Sequence, residues 1–376
     1  MQSSRFPIEV CEYIIDQSTV IAYLPDRYRF LLACAITCTA WVPRTFFNLY
    51  REIALKRRVR CDQFLETLAQ HPGRAQWIRK LDLWLFEFLP IIPLLAPQIL
   101  NHCRKLVLGG RHDIQPYPPL YVVRLIIPQL TMNESITSLT LVLDPPGSRI
   151  SDLYRIIGSL PRLQVLEWRC RVLFNVKPPE SAQLSRGKLA CHNLKRLTVM
   201  APPLLRIEQF PPADFFELAV EYLKLKVQHD IWPSDNMLDC LESWHQLQEL
   251  EIEFWSIVSR ANAYKPVDFT RILLHVQAAE LKRLSITLYP TEGSYFVGRS
   301  QIVDSLCGQA MQQVLGGLDQ LDQFHVRLYD NSDGFDAAWW NDQLCGKLLP
   351  RMPKVTVVCE VTTSTALEDL WDDDGN

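Results

Sequence analysis

The sequence predicts an α/β chain in which an N-terminal module of three helices precedes a curved strand–helix solenoid with a parallel sheet. Three observations predict it. Close to the N-terminus lies an apolar run without Gly or Pro, Leu31-Leu32-Ala33-Cys34-Ala35-Ile36-Thr37-Cys38-Thr39-Ala40-Trp41-Val42. After residue 60 the pattern changes, and a short apolar-x-apolar dyad returns at intervals of 25 to 40 residues. Between dyads the apolar residues recur at helical spacing.

Residues 6–17 are expected to form the first helix. Pro7 suits a first turn, where a missing N–H costs nothing. Ile8, Cys11, Ile14 and Ile15 follow at helical spacing with Val10 beside them. A connector holding Pro25, Asp26 and Arg27 leads to the apolar run, read as a second helix that Pro43 stops, and Phe46, Phe47, Leu49 and Tyr50 complete the module. The run is too short to span a bilayer, which takes about 20 residues. A helix apolar on every side has to be covered on every side, and so small a block buries a low fraction of its own surface. Part of this helix is therefore expected to be covered by another protein.

These residues also carry a resemblance. Phe6-Pro7-Ile8-Glu9-Val10, Ile14-Ile15, Leu31 to Ala35, Cys38-Thr39-Ala40-Trp41 and Leu49-Tyr50 together resemble an F-box, and the chain looks most like the F-box proteins of mushroom-forming fungi. The likeness covers roughly the first 50 residues. Phe6 stands where the usual pattern has Leu, and the connector Gln17–Arg29 is longer than common. The resemblance implies that this module docks a Skp-type adaptor, and through it a cullin, with Pro7, Ile8, Val10, Ile14, Leu31, Leu32, Ile36 and Trp41 as the adaptor-binding residues. The alternative is a helical cap on the end of the array.

The dyads are Leu81/Leu83, Leu106/Leu108, Leu139/Leu141, Leu166/Trp168, Leu197/Val199, Leu223/Leu225, Leu250/Ile252, Leu284/Ile286, Phe324/Val326 and Val355/Val357. Leu163, Leu194, Leu247, Leu281, Leu321 and Met352 lead six of them by three positions. Period-two alternation marks a strand with one face buried. Helices are expected over Asp152–Leu160, Asp214–Glu221, Met237–Leu247, Val267–Leu281, Ile302–Leu321 and Ala337–Leu349. A repeated strand–helix unit of about 30 residues is the mark of a solenoid. The units resemble degenerate leucine-rich repeats, without the Asn or Cys of that consensus; a non-repeating α/β domain is the alternative. Domain boundaries follow as 1–60 for the helical module, 61–360 for the array and 361–376 for an acidic tail. Inserts at Gly109–Pro119, Pro145–Ile150, Val176–Lys188, Pro290–Ser300 and Asp330–Asp336 should gather at one sheet edge, where binding loops often sit.

Composition narrows the function. A net charge of −3 gives no reason to expect nucleic acid or an acidic membrane as partner. The basic run Lys56–Arg60 reads as a solvated face. Eleven cysteines without CxxC pairs suit reduced thiols in the cytoplasm or nucleus, and the sequon Asn133-Glu134-Ser135 then has no glycosylation role. No nucleophile elbow, phosphate loop or dinucleotide fingerprint is present. His192 beside Cys191 has no second pair to complete a zinc site. Asp330–Asp336 departs from a calcium loop in the position of its Gly and in having Asn341 where the bidentate Glu belongs. Cys34 and Cys38 read as packing residues. No catalytic residue, metal or cofactor is assigned.

What remains is surface. The residues between and beyond the dyad positions should point away from the core. Lys224 and Lys226 are expected to face Glu251 and Glu253 across one strand gap of about 4.8 Å, with Trp255, Tyr289 and Tyr329 beside them. Either the charges simply neutralise one another, or Lys224, Lys226, Trp255, Tyr289, Arg327 and Tyr329 form a substrate-binding floor. The reading that follows is a substrate-recognition subunit of a Skp–cullin–F-box ubiquitin ligase, without chemistry of its own. An interaction scaffold with no ubiquitin role is the alternative, and a hydrolase or transferase would need a cluster of titratable residues that the sequence lacks.

Overall fold

A computed structural model describes residues 7–21, 23–83, 99–109, 120–143, 150–170, 191–200, 220–228, 235–255, 269–276, 280–289, 303, 306–329, 337–348 and 356–362. Among them an N-terminal helical region is followed by parallel sheet with helices. The chain divides into two compact units: the first takes in the described residues through Thr137, the second those from Ser138 onward.

The first unit opens with helices α1 (Ile8–Asp16), α2 (Leu24–Thr37) and α3 (Val42–Arg51). Helix α2 begins at Leu24 rather than at Leu31, because Pro25 falls in its first turn, where helix N–H groups have no partner to lose. The connector is correspondingly short, with Gln17–Val20 coiled into a single 3-10 turn. Helix α2 also ends before Pro43. Cys38 is extended (φ −149°, ψ 127°), Trp41 lies in the 3-10 turn that follows, and Pro43 opens α3 instead of stopping α2.

Packing on α2 is one-sided. Leu31 and Cys34 form a small core with Ile15, and Phe30, Trp41 and Leu49 lean against it. Two polar clusters add to that core. Arg44 Nε and Asn48 Nδ2 both donate to Asp16 Oδ1, at 2.8 and 2.9 Å, tying α1 to α3. That Arg44 bond, reinforced by Asn48, holds the Asp16 carboxyl below its usual 3.8 against the upward pull of burial. Arg27, only 9 % exposed, donates to the Ile21 carbonyl at 3.1 Å and pairs with Glu52 at 3.1 Å. The Tyr28 hydroxyl donates to the Glu52 carbonyl at 2.7 Å; burial, with the Glu52 charge, pushes this phenol up to about 12.

Strand β1 (Glu52–Leu55) follows α3 directly and pairs in parallel with β2 (Lys80–Leu83), which pairs with β3 (Lys105–Gly109). β1 falls inside the stretch that the sequence assigns to the helical module, since four residues are too few to show a period. Helix α4 (Arg58–Gln70), also not anticipated, joins β1 to β2 and buries Cys61, Phe64 and Leu68. Arg58, Val59 and Arg60 are exposed in its first turn.

In the second unit the strands follow chain order, each parallel to the last: β4 (Ser138–Leu143), β5 (Val165–Cys170), β6 (Arg196–Met200), β7 (Tyr222–Gln228), β8 (Glu249–Trp255), β9 (Arg283–Tyr289), β10 (Gln323–Tyr329) and β11 (Thr356–Thr362). Leu139, Leu166, Leu197, Leu223, Leu250, Leu284 and Phe324 are successive register partners. The last dyad is displaced: Phe324 meets Val357, so the pair in register is Val357/Cys359 and not Val355/Val357. A shift of two residues leaves every side chain on its own face, so alternation alone cannot detect it.

Six of the strands are entered through the same turn. Ile78, Cys103, Leu163, Leu194, Leu247 and Leu321 lie three residues before their dyads, and each N–H bonds the carbonyl three residues back at 3.0–3.3 Å. The residues reached, Ala75, Leu100, Leu160, Cys191, Trp244 and Leu318, are buried too. The carbonyls of Arg79, Gln164, Lys195, Glu221, Gln248 and Lys282 each accept two consecutive N–H groups from the next unit at 2.8–3.1 Å. Such recurrence of backbone geometry defines a repeat even where side chains differ. Ring contacts between Tyr154 and Trp168 (5.9 Å) and between Phe269 and Phe254 (6.0 Å) place helices on the dyad face of the sheet.

Helices occupy Ile150–Gly158, Asp235–Ser243, Phe269–Leu274, Gln309–Gly316 and Ala337–Leu348, within or overlapping the expected segments, and also Leu120–Thr131, which was not expected. The tail, almost all of the inserts and most of Asp214–Glu221 lie outside the described residues.

Candidate functional site

Two surfaces come from the residues singled out by the sequence. The first belongs to the helical region. Its small core uses Leu31 (0 % exposed) and half-buried Trp41, so neither is a free contact residue as the sequence reading had it. The reason is helical geometry: Leu31 and Cys34, three apart, point inward with Ile15 on α1. Leu32 and Ile36, four apart, share the opposite face of α2 and are 53 % and 87 % exposed. On α1, Ile8, Val10 and Ile14 are exposed, as is Pro7 just before it. Tyr13, Val20 and Tyr23, which sequence reasoning missed, are bare as well. Val10 lies at i, i+3 and i, i+4 spacing from Tyr13 and Ile14, as Leu32 does at i, i+4 from Ile36, and grouped apolar exposure marks interaction surfaces; the signal for Tyr13 was available in that spacing.

The second surface is the sheet face opposite the dyads. On β7 and β8 register places Lys224 beside Glu251 and Lys226 beside Glu253. Lys224 Nζ lies 2.9 Å from Glu251 Oε1 and also pairs with Glu253, while Lys226 Nζ lies 2.9 Å from Glu253 Oε2. Tyr222, missed by the sequence reading although it alternates with Lys224 and Lys226, donates its hydroxyl to Glu251 at 2.7 Å. Arg196 lies over the Tyr222 ring, 4.3 Å from its centroid. Burial pulls the Glu251 carboxyl upward, but Lys224 and Tyr222 together outweigh it and hold the group below 4.5. Burial pulls Lys224 down, and its two carboxylates outweigh that and raise it above 10.5. Burial, followed by the bond to Glu251, raises the Tyr222 phenol.

On the neighbouring strands Tyr289 and Tyr329 stack, with centroids 4.9 Å apart and planes 8° from parallel. Trp255 is in register with Tyr289. Arg327 does not reach Lys224 or Lys226; its Nε donates to Glu360 on β11 at 2.9 Å, a pairing hidden from the sequence by the displaced last register. Farther along, Arg169 Nε donates to Glu167 at 2.7 Å and Thr140 Oγ1 to the other Glu167 oxygen at 3.2 Å.

Other candidates resolve into packing. Cys34 is in the helical core, where burial pushes its thiol up and disfavours thiolate. Cys191 is buried while His192 beside it is exposed. Asn133 is buried, its carboxamide oxygen accepting the N–H groups of Ser135 and Ile136 at 3.0 Å each. Asp330–Asp336 lies outside the described residues. Among the described residues no group of three or more His, Cys, Asp or Glu is placed to hold a metal ion, and no helix is long and apolar enough to cross a membrane. What the two surfaces offer is contact area, hydrogen bonds and fixed charge. No family model matches the chain, and no curated protein matches it.

Proposed function

We propose that the chain is a substrate-recognition subunit of a Skp–cullin–F-box-type ubiquitin ligase, acting in the cytoplasm or nucleus. In this reading the helical region is a divergent F-box that docks a Skp-type adaptor. The strand–helix array is a leucine-rich-repeat-like solenoid that holds a protein substrate. Ubiquitin transfer is then promoted by raising the local concentration of substrate lysines. The observation that supports it is the bare apolar face of α2, Leu32 and Ile36, in a helical region whose own core is already closed by Ile15, Leu31 and Cys34.

The test is adaptor binding by the full chain carrying Leu32→Asp and Ile36→Asp. Burial of one such side chain contributes about 1.5–3 kcal/mol, so each charge should weaken a purified Skp-type adaptor at least about tenfold. The far-ultraviolet spectrum and melting temperature should stay unchanged. Binding at wild-type strength rejects the proposal. Leu31 is unsuitable for this test, because its replacement would unfold the module.

The scaffold reading draws support from a different observation. β1 follows α3 without a linker, and Arg27 and Tyr28 bond Glu52, so the helices also cap the first strand. A scaffold needs the cap but not the bare face, so it predicts that the double variant changes nothing but solubility.

A further inference from the structure

We infer that the segment held on the β7–β11 sheet face is an uncharged, unphosphorylated stretch of protein that presents an aromatic or aliphatic side chain to the Tyr289–Tyr329 pair. Only the word substrate for that segment rests on the ligase reading; the chemistry of the face does not.

The fixed charges of this face are already matched. Lys224 is shared by Glu251 and Glu253, Lys226 lies against Glu253, and Arg327 against Glu360. Arg169, on the same face at β5, is bound by Glu167. A phosphate arriving here would have to draw Lys224 or Lys226 away from Glu253. That carboxylate is 6 % exposed and would lose one of its two cations, which is costly in a poorly solvated site. A lysine or arginine from a partner meets the converse problem, since each carboxylate already has its cation. The face rewards neither sign of charge.

The aromatic pair is different. Two parallel tyrosines, half-buried and 4.9 Å apart, supply rigid apolar area at little further entropic cost. Burial and the nearby Glu253 charge raise the Tyr289 phenol. Tyrosine is also among the residue types favoured where binding energy concentrates. A neutral polar floor with an aromatic clamp at one side therefore suits an uncharged segment with one bulky apolar anchor.

Two peptide libraries of one design, presented to the immobilised full chain, test this. One is unphosphorylated; the other carries a central phosphoserine or phosphothreonine. The expected result is enrichment of unphosphorylated peptides with aromatic or aliphatic anchors. Their binding should resist excess inorganic phosphate, fall at least about tenfold with Tyr289→Ala plus Tyr329→Ala, and survive Tyr289→Phe plus Tyr329→Phe, which keeps the rings. Enrichment of phosphopeptides alone, with loss of binding in Lys226→Met, overturns the inference. So does enrichment that ignores the tyrosine pair, or no enrichment from either library. Adaptor binding measured on the same preparation separates the two ideas: peptide capture without adaptor binding removes the ligase reading and leaves this one standing.

Discussion

Leu31 and Leu32 are neighbours in the chain and opposite in consequence. One side chain is inside the helical core and the next is on the surface. Leu31→Ala should cost about 2–5 kcal/mol, the usual range for a buried leucine truncation, read from the urea midpoint of the first unit. Ile36→Ala should stay within about 0.5 kcal/mol. Equal losses at both positions would mean that α2 is covered on both faces. Asn133 makes a similar point for a polar residue. Its carboxamide oxygen takes the place that a backbone carbonyl fills in the other turns, so Asn133→Ala should destabilise by about 1–2 kcal/mol through two unsatisfied N–H groups.

At the scale of an element, the ladder between β7 and β8 has a pH signature. The unfolded chain binds a proton at Glu251 near 4.5, whereas the folded chain holds this carboxyl below that value. The stabilisation is therefore complete above about pH 4.5 and is lost as pH falls through the lower folded value. Asp16 adds a second loss of the same sign below its own 3.8. Denaturant midpoints taken from neutral to acid pH should show the decline, and Glu251→Gln should make it shallower. At the alkaline end Lys224 behaves oppositely: its contribution is present below 10.5 and disappears as pH rises through its raised folded value. Lys224→Met should destabilise by less than the about 3–5 kcal/mol of a fully buried broken pair. Tyr222 still serves Glu251, and Lys226 still serves Glu253.

For the whole molecule, the helical region and the first strands share one compact unit. A chain beginning at residue 61 loses β1 and bares the edge of β2. It also strips Arg74 of its bond to the Tyr50 hydroxyl (2.9 Å) and Trp77 of its ring contacts with Phe47 and Tyr50. Exposed strand edges template aggregation, so this truncated chain should appear in the void volume on gel filtration. The full chain with Leu32→Asp and Ile36→Asp should elute unchanged. Truncation therefore does not distinguish a docking module from a cap, and substitution on the bare face does.

Alternation along the chain is enough to place the strands of the array. A dyad such as Leu250/Ile252 declares a buried face within three residues, because side chains alternate across a strand whatever its neighbours are. The dyads also set the facing of Lys224 with Glu251 and Lys226 with Glu253, since adjacent strands in register need no other ruler. Which face of α2 is covered depends on long-range packing, because Leu31 and Leu32 are chemically identical and the choice rests on where Ile15 and Leu49 lie. Long-range pairing alone makes Glu52–Leu55 a strand, since four residues acquire that identity from β2. The same kind of pairing gives Arg327 to Glu360, because a slip of two residues is silent in the alternation and is fixed only by the backbone hydrogen bonds between β10 and β11.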